Sequence, residues 1–329
     1  MLFWKNMSPG RKTALFFASG GLLATIAYIS RRRSYKKQAE NIPKSETAEK
    51  RLKFTNKTVL ITGGAGNIGA ATAHAFAKEG ATLVLVDLPR LCGKMREARK
   101  GLLLEGAKEV HVLGANVSNS QDVQRMVSEA LSVCGRIDCF FNNAGIQGEM
   151  VPLHEQSDEE FQTTIQVNLY GVFLGMKYVS RAMMMSDKNG GPGGGVIVNT
   201  ASMAGLIGPG NMAAYAASKF GVVGLTKTGA KDLAPHNIRV VAIAPGLVEG
   251  YMWDRQVRLR ALFRKRQEGT EEEPSEREIK EQEARMLAAT PLGRVARLSE
   301  IAEVVVFLCS ESASYITGSV IPIEGGRLQ

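Results

Sequence analysis

The sequence predicts an α/β protein built on a single doubly wound parallel sheet covered by helices on both faces. Two observations predict it. Short apolar runs rich in β-branched residues alternate with stretches of helical period from residue 57 almost to the C terminus, as expected when each strand is buried on both faces and each crossover is a helix. The glycine-rich and polar positions suited to bind a ligand fall just past the carboxyl ends of those runs, where open parallel sheets hold their ligands.

In chain order, residues 58–62 (TVLIT) read as a strand entering a glycine-rich turn, with a helix opening near Ile68. Gly64, Gly66 and Gly69 have the G-x-G-x-x-G spacing, which lets backbone approach a pyrophosphate while the helix amino terminus offers unpaired N–H groups. The next run, 82–86, ends at Asp87. An acid there hydrogen-bonds the adenosine ribose and repels a 2′-phosphate, favouring NAD over NADP; Arg90 close by is placed to serve a phosphate instead. Strands follow at 109–113, 137–141, 196–200, 239–244 and 320–323, with helices at about 121–132, 161–184, 212–233 and 300–309.

Past the strand at 196–200 stands Ser202, then a turn at Gly208-Pro209-Gly210, then Tyr215 and Lys219 on one helix face. A phenol with a free pKa of about 10 is a weak base at neutral pH, and a neighbouring ammonium would lower that value. Tyr215 could then pass a proton while Ser202 holds the substrate oxygen and a bound cofactor takes the hydride. Tyr-x-x-x-Lys also arises by chance on helix surfaces, so the pair gains its meaning from the rest of the chain.

These motifs stand in order: Thr62-Gly63-x-x-x-Asn67-Ile68-Gly69, Asn142-Asn143-Ala144-Gly145, Asn168, Ser202, Tyr215-x-x-x-Lys219 and Pro245-Gly246. On them, residues 53–326 resemble the short-chain dehydrogenase/reductase family. The resemblance implies a Rossmann-like fold, a homo-oligomer, and an NAD(P)-dependent oxidoreductase interconverting a secondary alcohol and a ketone. It implies Tyr215 as acid/base, Ser202 as substrate orienter, Lys219 as a ribose contact that lowers the tyrosine pKa, and Asn168 in a proton relay through water. Cofactor contacts are implied for Thr62, Gly63, Asn67, Ile68, Gly69, Asp87, Asn116, Val117, Asn143, Ala144, Gly145, Tyr215, Lys219, Pro245, Gly246 and Val248. Two of these motifs have structural alternatives: Asn168 as a helix-interior amide bonded to backbone, and Asn142 to Gly145 as support for the sheet, Asn142 above all.

Three positions depart from the family. Asn67 replaces the middle glycine of the turn, tolerable because asparagine visits the left-handed region. Asn116 replaces an aspartate near the adenine, and its amide could accept the same bond. Leu247-Val248-Glu249 replaces a threonine expected at the nicotinamide carboxamide. Glu249 is the one feature favouring a rival reading, a dinucleotide-binding scaffold without turnover.

Residues 251–285 carry nine basic and nine acidic residues where the family places its substrate-covering segment. Tyr251, Met252 and Trp253 are expected to touch substrate, and the charged remainder is either a lid or a solvated insertion. The stretch 186–195 (SDKNGGPGGG) reads as a flexible loop.

The net charge of +9 lies wholly in residues 1–53, which hold twelve Lys and Arg against three Glu. The remainder is neutral, which removes the main support for nucleic-acid binding. Cys92, Cys134, Cys139 and Cys309 form no metal-ligand spacing and are expected reduced. Residues 13–30 are uncharged, mostly apolar and flanked by basic residues, and are expected to be a single-pass membrane anchor with the catalytic domain cytosolic. A cleaved signal and a mitochondrial matrix presequence are the alternatives, and the endoplasmic reticulum and mitochondrial outer membranes suit the segment's length. Residues 31–53 read as a basic linker, and the substrate as a small alcohol or ketone compatible with a lipophilic one.

Overall fold

The computed structural model describes residues 52–185, 193–270 and 272–328. The expected anchor, the linker up to residue 51 and most of the 186–195 loop lie outside them. No helix among the described residues is long and apolar enough to cross a membrane.

Seven strands form one parallel sheet: β1 (Thr58–Thr62), β2 (Thr82–Asp87), β3 (Glu109–Gly114), β4 (Cys139–Asn142), β5 (Gly195–Thr200), β6 (Ile238–Pro245) and β7 (Val320–Ile323), in the order β3-β2-β1-β4-β5-β6-β7. The order reverses between β1 and β4, so the loops leaving these neighbours diverge and open a crevice at their carboxyl ends.

The strands read as continuous apolar runs because both faces are buried, and successive residues alternate between two cores. Val59, Ile61, Leu83, Leu85, Phe141, Val198 and Ile243 pack on one side against α1 (Asn67–Ala77), α2 (Cys92–Leu104) and α10 (Leu298–Cys309). Leu60, Val84, Phe140, Ile197 and Val240 pack on the other against α3 (Ser120–Cys134), α5 (Gly171–Met184) and α7 (Ala213–Leu233). The single domain and the doubly wound sheet expected from the sequence are both present.

Several elements differ from expectation. The helix α2 has no counterpart in the sequence reading; Gly93, Gly101 and its charged positions mask an apolar face made of Cys92, Met95 and Leu102. The single helix expected at 161–184 begins earlier as α4 (Asp158–Ile165), capped by the Ser157 hydroxyl, which accepts from the Glu160 N–H at 3.1 Å. It passes through a π-helical turn, Gln166–Tyr170, before α5. Residues 251–285 lie in two helices, α8 (Tyr251–Gln267) and α9 (Glu276–Ala288), which share a small core of Leu247, Trp253, Val257 and Met286.

Candidate active site

The first loop is built to face an anion. Gly63 takes φ +68°, in the left-handed region, and a Cβ on Gly69 would overlap the Gly63 carbonyl oxygen. The α1 amino terminus has neither a side-chain cap nor an acid in its first turn, so its orphan N–H groups and dipole are available to a pyrophosphate. Asn67 does not owe its place to left-handed backbone. It opens α1 in helical conformation, and the non-glycine residues of positive φ among the described ones are Asn56, Asn211 and Asn237. Its side chain instead lies against Gly250, where an added Cβ would overlap Asn67 Nδ2.

Asp87 supports the same loop. Its Oδ2 accepts from the Ala65 N–H at 3.0 Å and its Oδ1 from the Leu88 N–H at 2.8 Å. The carboxylate therefore braces the glycine turn. Lys94, which the sequence reading passed over, donates to the Ala65 carbonyl at 2.8 Å. Asn116 Oδ1 accepts from both the Ser118 N–H, 3.1 Å, and the Ser118 hydroxyl, 2.8 Å. The acceptor expected to replace the aspartate is thus already engaged, and the side chain presents its Nδ2 donor. Val117 packs beside Gly171 at the start of α5.

Three strand ends are laced together next to this loop. Thr62 Oγ1 accepts from the Asn143 and Ala144 N–H groups at 3.0 and 3.2 Å, Asn143 Nδ2 donates to the Thr62 carbonyl at 3.0 Å, and Thr200 Oγ1 donates to Asn143 Oδ1 at 3.3 Å. Asn142 points into the core, donating to the Val172 carbonyl at 3.0 Å and to Asn199 Oδ1 at 3.2 Å. Its role is structural. A Cβ on Gly145 would stand 3.1 Å from Asn168 Oδ1 and 3.6 Å from Lys219 Nζ, so this loop passes directly over the lysine.

Lys219 is 3% exposed, and its Nζ donates to the Thr200 carbonyl at 2.7 Å and lies 5.7 Å from the centre of the Tyr215 ring. Burial pushes its pKa down to about 8. Burial also raises the Tyr215 phenol above its ordinary value, with the neighbouring Ser202 hydroxyl acting the other way. In the protein alone desolvation dominates the Tyr215 shift, and the Lys219 ammonium beside it is itself desolvated and donates to the Thr200 carbonyl. Ser202 Oγ accepts from the Ala204 N–H at 3.1 Å and reaches the Pro245 carbonyl at 3.5 Å.

Asn168 sits fully buried in the π-helical turn. Its Oδ1 accepts from the Ile146 N–H and its Nδ2 donates to the Ile146 carbonyl, both at 2.8 Å, and Nδ2 also reaches Ser218 Oγ at 3.3 Å. Ser218 donates in turn to the Tyr215 carbonyl at 2.7 Å. The side chain therefore fixes the loop over Lys219 and the Tyr215 backbone, the bonding expected of the backbone-bonded alternative.

After Pro245, Gly246 lies against Glu324, whose Cβ a side chain on the glycine would meet at 2.8 Å. Val248 bridges to Ala296, and Glu249 Oε1 accepts from the Leu298 N–H at 2.8 Å, the first N–H of α10. Glu249 is thus a helix cap. Trp253, expected to touch substrate, is 7% exposed within the small core of α8 and α9, whereas Tyr251 and Met252 are 73% and 45% exposed. Arg255, not anticipated, ties α8 to the loop after β4 through Gln147 Oε1 at 3.1 Å and the Gly148 carbonyl at 3.0 Å. The cavities along α8 are walled by residues such as Met150, Leu259 and Phe263 or Val257 and Ile279, and neither includes Ser202, Tyr215 or Lys219.

The displaced Lys219 pKa sets a stability signature. The unfolded chain titrates this lysine near 10.4 and the folded protein near 8, so unfolding takes up a proton between those values and stability rises with pH across that window. Below it the buried ammonium costs about 3 kcal/mol. Lys219→Met, unfolded by urea without added nucleotide, is expected to lack the wild-type rise in midpoint between pH 8 and 10. Parallel wild-type and variant curves would contradict the assignment.

A sequence model described as short chain dehydrogenase matches residues 57–259, and one described as enoyl-(acyl carrier protein) reductase matches residues 270–327. Levodione reductase of Leifsonia aquatica is 38% identical over 85% of this chain and 97% of its own. Cyclohexanol dehydrogenase of an Acinetobacter species is 36% identical over 83% of this chain and 95% of its own. The crystal structure of NAD+-bound xylitol dehydrogenase superposes with a TM-score of 0.74 at 38% identity, covering 83% of this chain and 100% of that one. With the parallel sheet, the glycine turn and the Ser202, Tyr215 and Lys219 cluster, these likenesses show that the chain belongs to the short-chain dehydrogenase/reductase family of nicotinamide-dependent oxidoreductases acting on alcohols and ketones.

Proposed function

We propose that this protein is a membrane-anchored, NAD-preferring member of that family in which Tyr215 is the acid/base. The observation that carries the reading is the gathering of Tyr215, Ser202 and buried Lys219 at the carboxyl end of β5, with the Lys219 Nζ 5.7 Å from the Tyr215 ring centre, donating to the Thr200 carbonyl and lying beneath the Gly145 loop. Turn and helix terminus fit a dinucleotide, which when bound supplies hydride exchange. Ser202 holds the substrate oxygen, and Tyr215 accepts its proton in oxidation or donates one in reduction. Lys219 provides a cation beside the ribose position, and Asn168 positions the loop above it. The rival scaffold reading rested on Glu249, and a cap on α10 accounts for that residue.

Asp87 and the NAD+-bound relative support NAD. The names of the relatives support a carbocyclic or polyol alcohol, and the exposed Tyr251 and Met252 support a lipophilic contact. A second copy of the chain as partner is supported by exposed Phe161, Tyr170, Phe173 and Phe220. The composition of residues 13–30 and its basic flanks support the anchor.

Cyclohexanol, xylitol and longer secondary alcohols, incubated with NAD or NADP, test the reading through reduced-nicotinamide absorbance. NAD is expected to be preferred, and Asp87→Ser to weaken or reverse the preference. Equal use of the two cofactors by the wild type would show that Arg90 or another cation outweighs Asp87. Alkaline carbonate is expected to leave the full-length protein in the membrane pellet, with the domain open to protease on intact vesicles or mitochondria. Release by carbonate would remove the anchor, and protection of the domain would reverse its side.

A further inference from the structure

The lid helix α8 carries six basic residues, three of which have partners of their own. Arg258 pairs with Glu273, Lys265 with Glu272 and Glu278, and Arg255 donates to Gln147 and Gly148. Arg260 does not. Its guanidinium is partly buried, its Nε is closed off from solvent, and it has no hydrogen-bond or ion-pair partner among the described residues. The segment has acids to spare, yet none is placed beside this residue.

The charged neighbour that Arg260 does have is another arginine. Arg327, in the C-terminal segment, is bonded to the Met286 carbonyl of α9, and Met286 shares a small core with Val257, one turn before Arg260 on α8; the Arg327 charge adds to burial in disfavouring the Arg260 charge. Arg327 is held firmly: Nη1 donates to the Met286 carbonyl at 2.6 Å and to Thr290 Oγ1 at 2.9 Å, while its Nε is also buried and unbonded. Glu324 lies near Arg327 and favours its charge. Its Oε2, however, accepts from the Leu328 N–H at 3.0 Å, and it forms no ion pair with either arginine among the described residues.

Two like charges partly withdrawn from water, each with a shielded unbonded Nε, are an unfavourable arrangement for a protein by itself. Both guanidinium groups present planar donors matched to a carboxylate or phosphate, and an oxyanion between them would satisfy the donors and cancel the repulsion. The place is apt, because Glu324 abuts Gly246 at the end of β6, so this segment borders the ligand-binding end of the sheet.

We propose that Arg260 and Arg327 form an oxyanion site, taking the carboxylate or phosphate group of a ligand, that fastens the lid helix to the C-terminal segment. The site is separate from the acid/base cluster, and its test uses no turnover, so the outcome is independent of the dehydrogenase reading.

Thermal unfolding of the full-length protein in detergent, at constant ionic strength set with chloride, is measured while inorganic phosphate or acetate is titrated in. The wild-type Tm is expected to climb with one or both anions and to saturate. A larger response to phosphate assigns a phosphoryl ligand, and a larger response to acetate a carboxylate one. Arg260→Met is expected to melt in chloride at or above the wild-type temperature, since it removes an unpaired charge, and to lose the climb. Arg260→Lys keeps the charge but not the fork, and is expected to weaken the apparent anion affinity on the order of tenfold. Arg258→Met serves as control and should keep the response. No climb in the wild type, or a climb retained in Arg260→Met and Arg260→Lys alike, would overturn the proposal.

Discussion

The buried bond from the Lys219 ammonium to the Thr200 carbonyl is the constraint around which the site is arranged. It ties α7 to the last residue of β5, two residues before Ser202, and so fixes Tyr215 one helical turn earlier. A cation withdrawn from water is unfavourable unless its surroundings supply acceptors. The surroundings here admit it only by close approach: Gly145 passes over Nζ, and the short helix Ala204–Ile207 packs through Gly205, whose added Cβ would stand 2.6 Å from the Lys219 carbonyl carbon. Small residues on both sides make room for a charge that stability alone would not select, and perturbed groups of this kind collect at functional sites.

Around that bond the polar groups divide into those that build and those that face outward. Thr62, Asn143 and Thr200 lace three strand ends, and Asn142, Asn199 and Thr226 form a fully buried chain beneath them. Asn168 and Ser218 carry the order across to the Tyr215 backbone. Ser202 and the Tyr215 hydroxyl are then left as the groups able to meet a substrate oxygen. The segment of α8 and α9 is a different kind of structure. It has its own small core around Trp253, is joined to the sheet through Val248 and Glu249, and is latched to the opposite loop by Arg255.

Much of the fold was legible because parallel strands buried on both faces leave unbroken apolar runs, and because glycine spacing after β1 has a steric cause that the Gly69 contact with Gly63 makes visible. Other features were hidden for physical reasons. The α2 helix carries glycines and charges on its open side, which blur its period. Trp253 follows Tyr251 and Met252 in a run that reads as one aromatic patch, but helical rotation sends it inward and leaves them exposed. Asn67 looked like a left-handed substitution because the family's glycine suggested one, whereas the strained residue is Gly63. The sign of the tyrosine shift depends on how much solvent is removed from both partners, which spacing along a helix does not encode. Arg260 was one of nine basic residues in its segment, and only the fold shows that its neighbour is another arginine.

The central claim is that Tyr215 carries the proton, and one measurement addresses it directly: turnover of Tyr215→Phe on any alcohol the enzyme accepts, with cofactor affinity measured alongside by titration. Phenylalanine keeps the ring and its packing and removes the hydroxyl, so kcat is expected to fall by orders of magnitude while the cofactor Kd holds. Turnover near the wild-type rate would contradict the account.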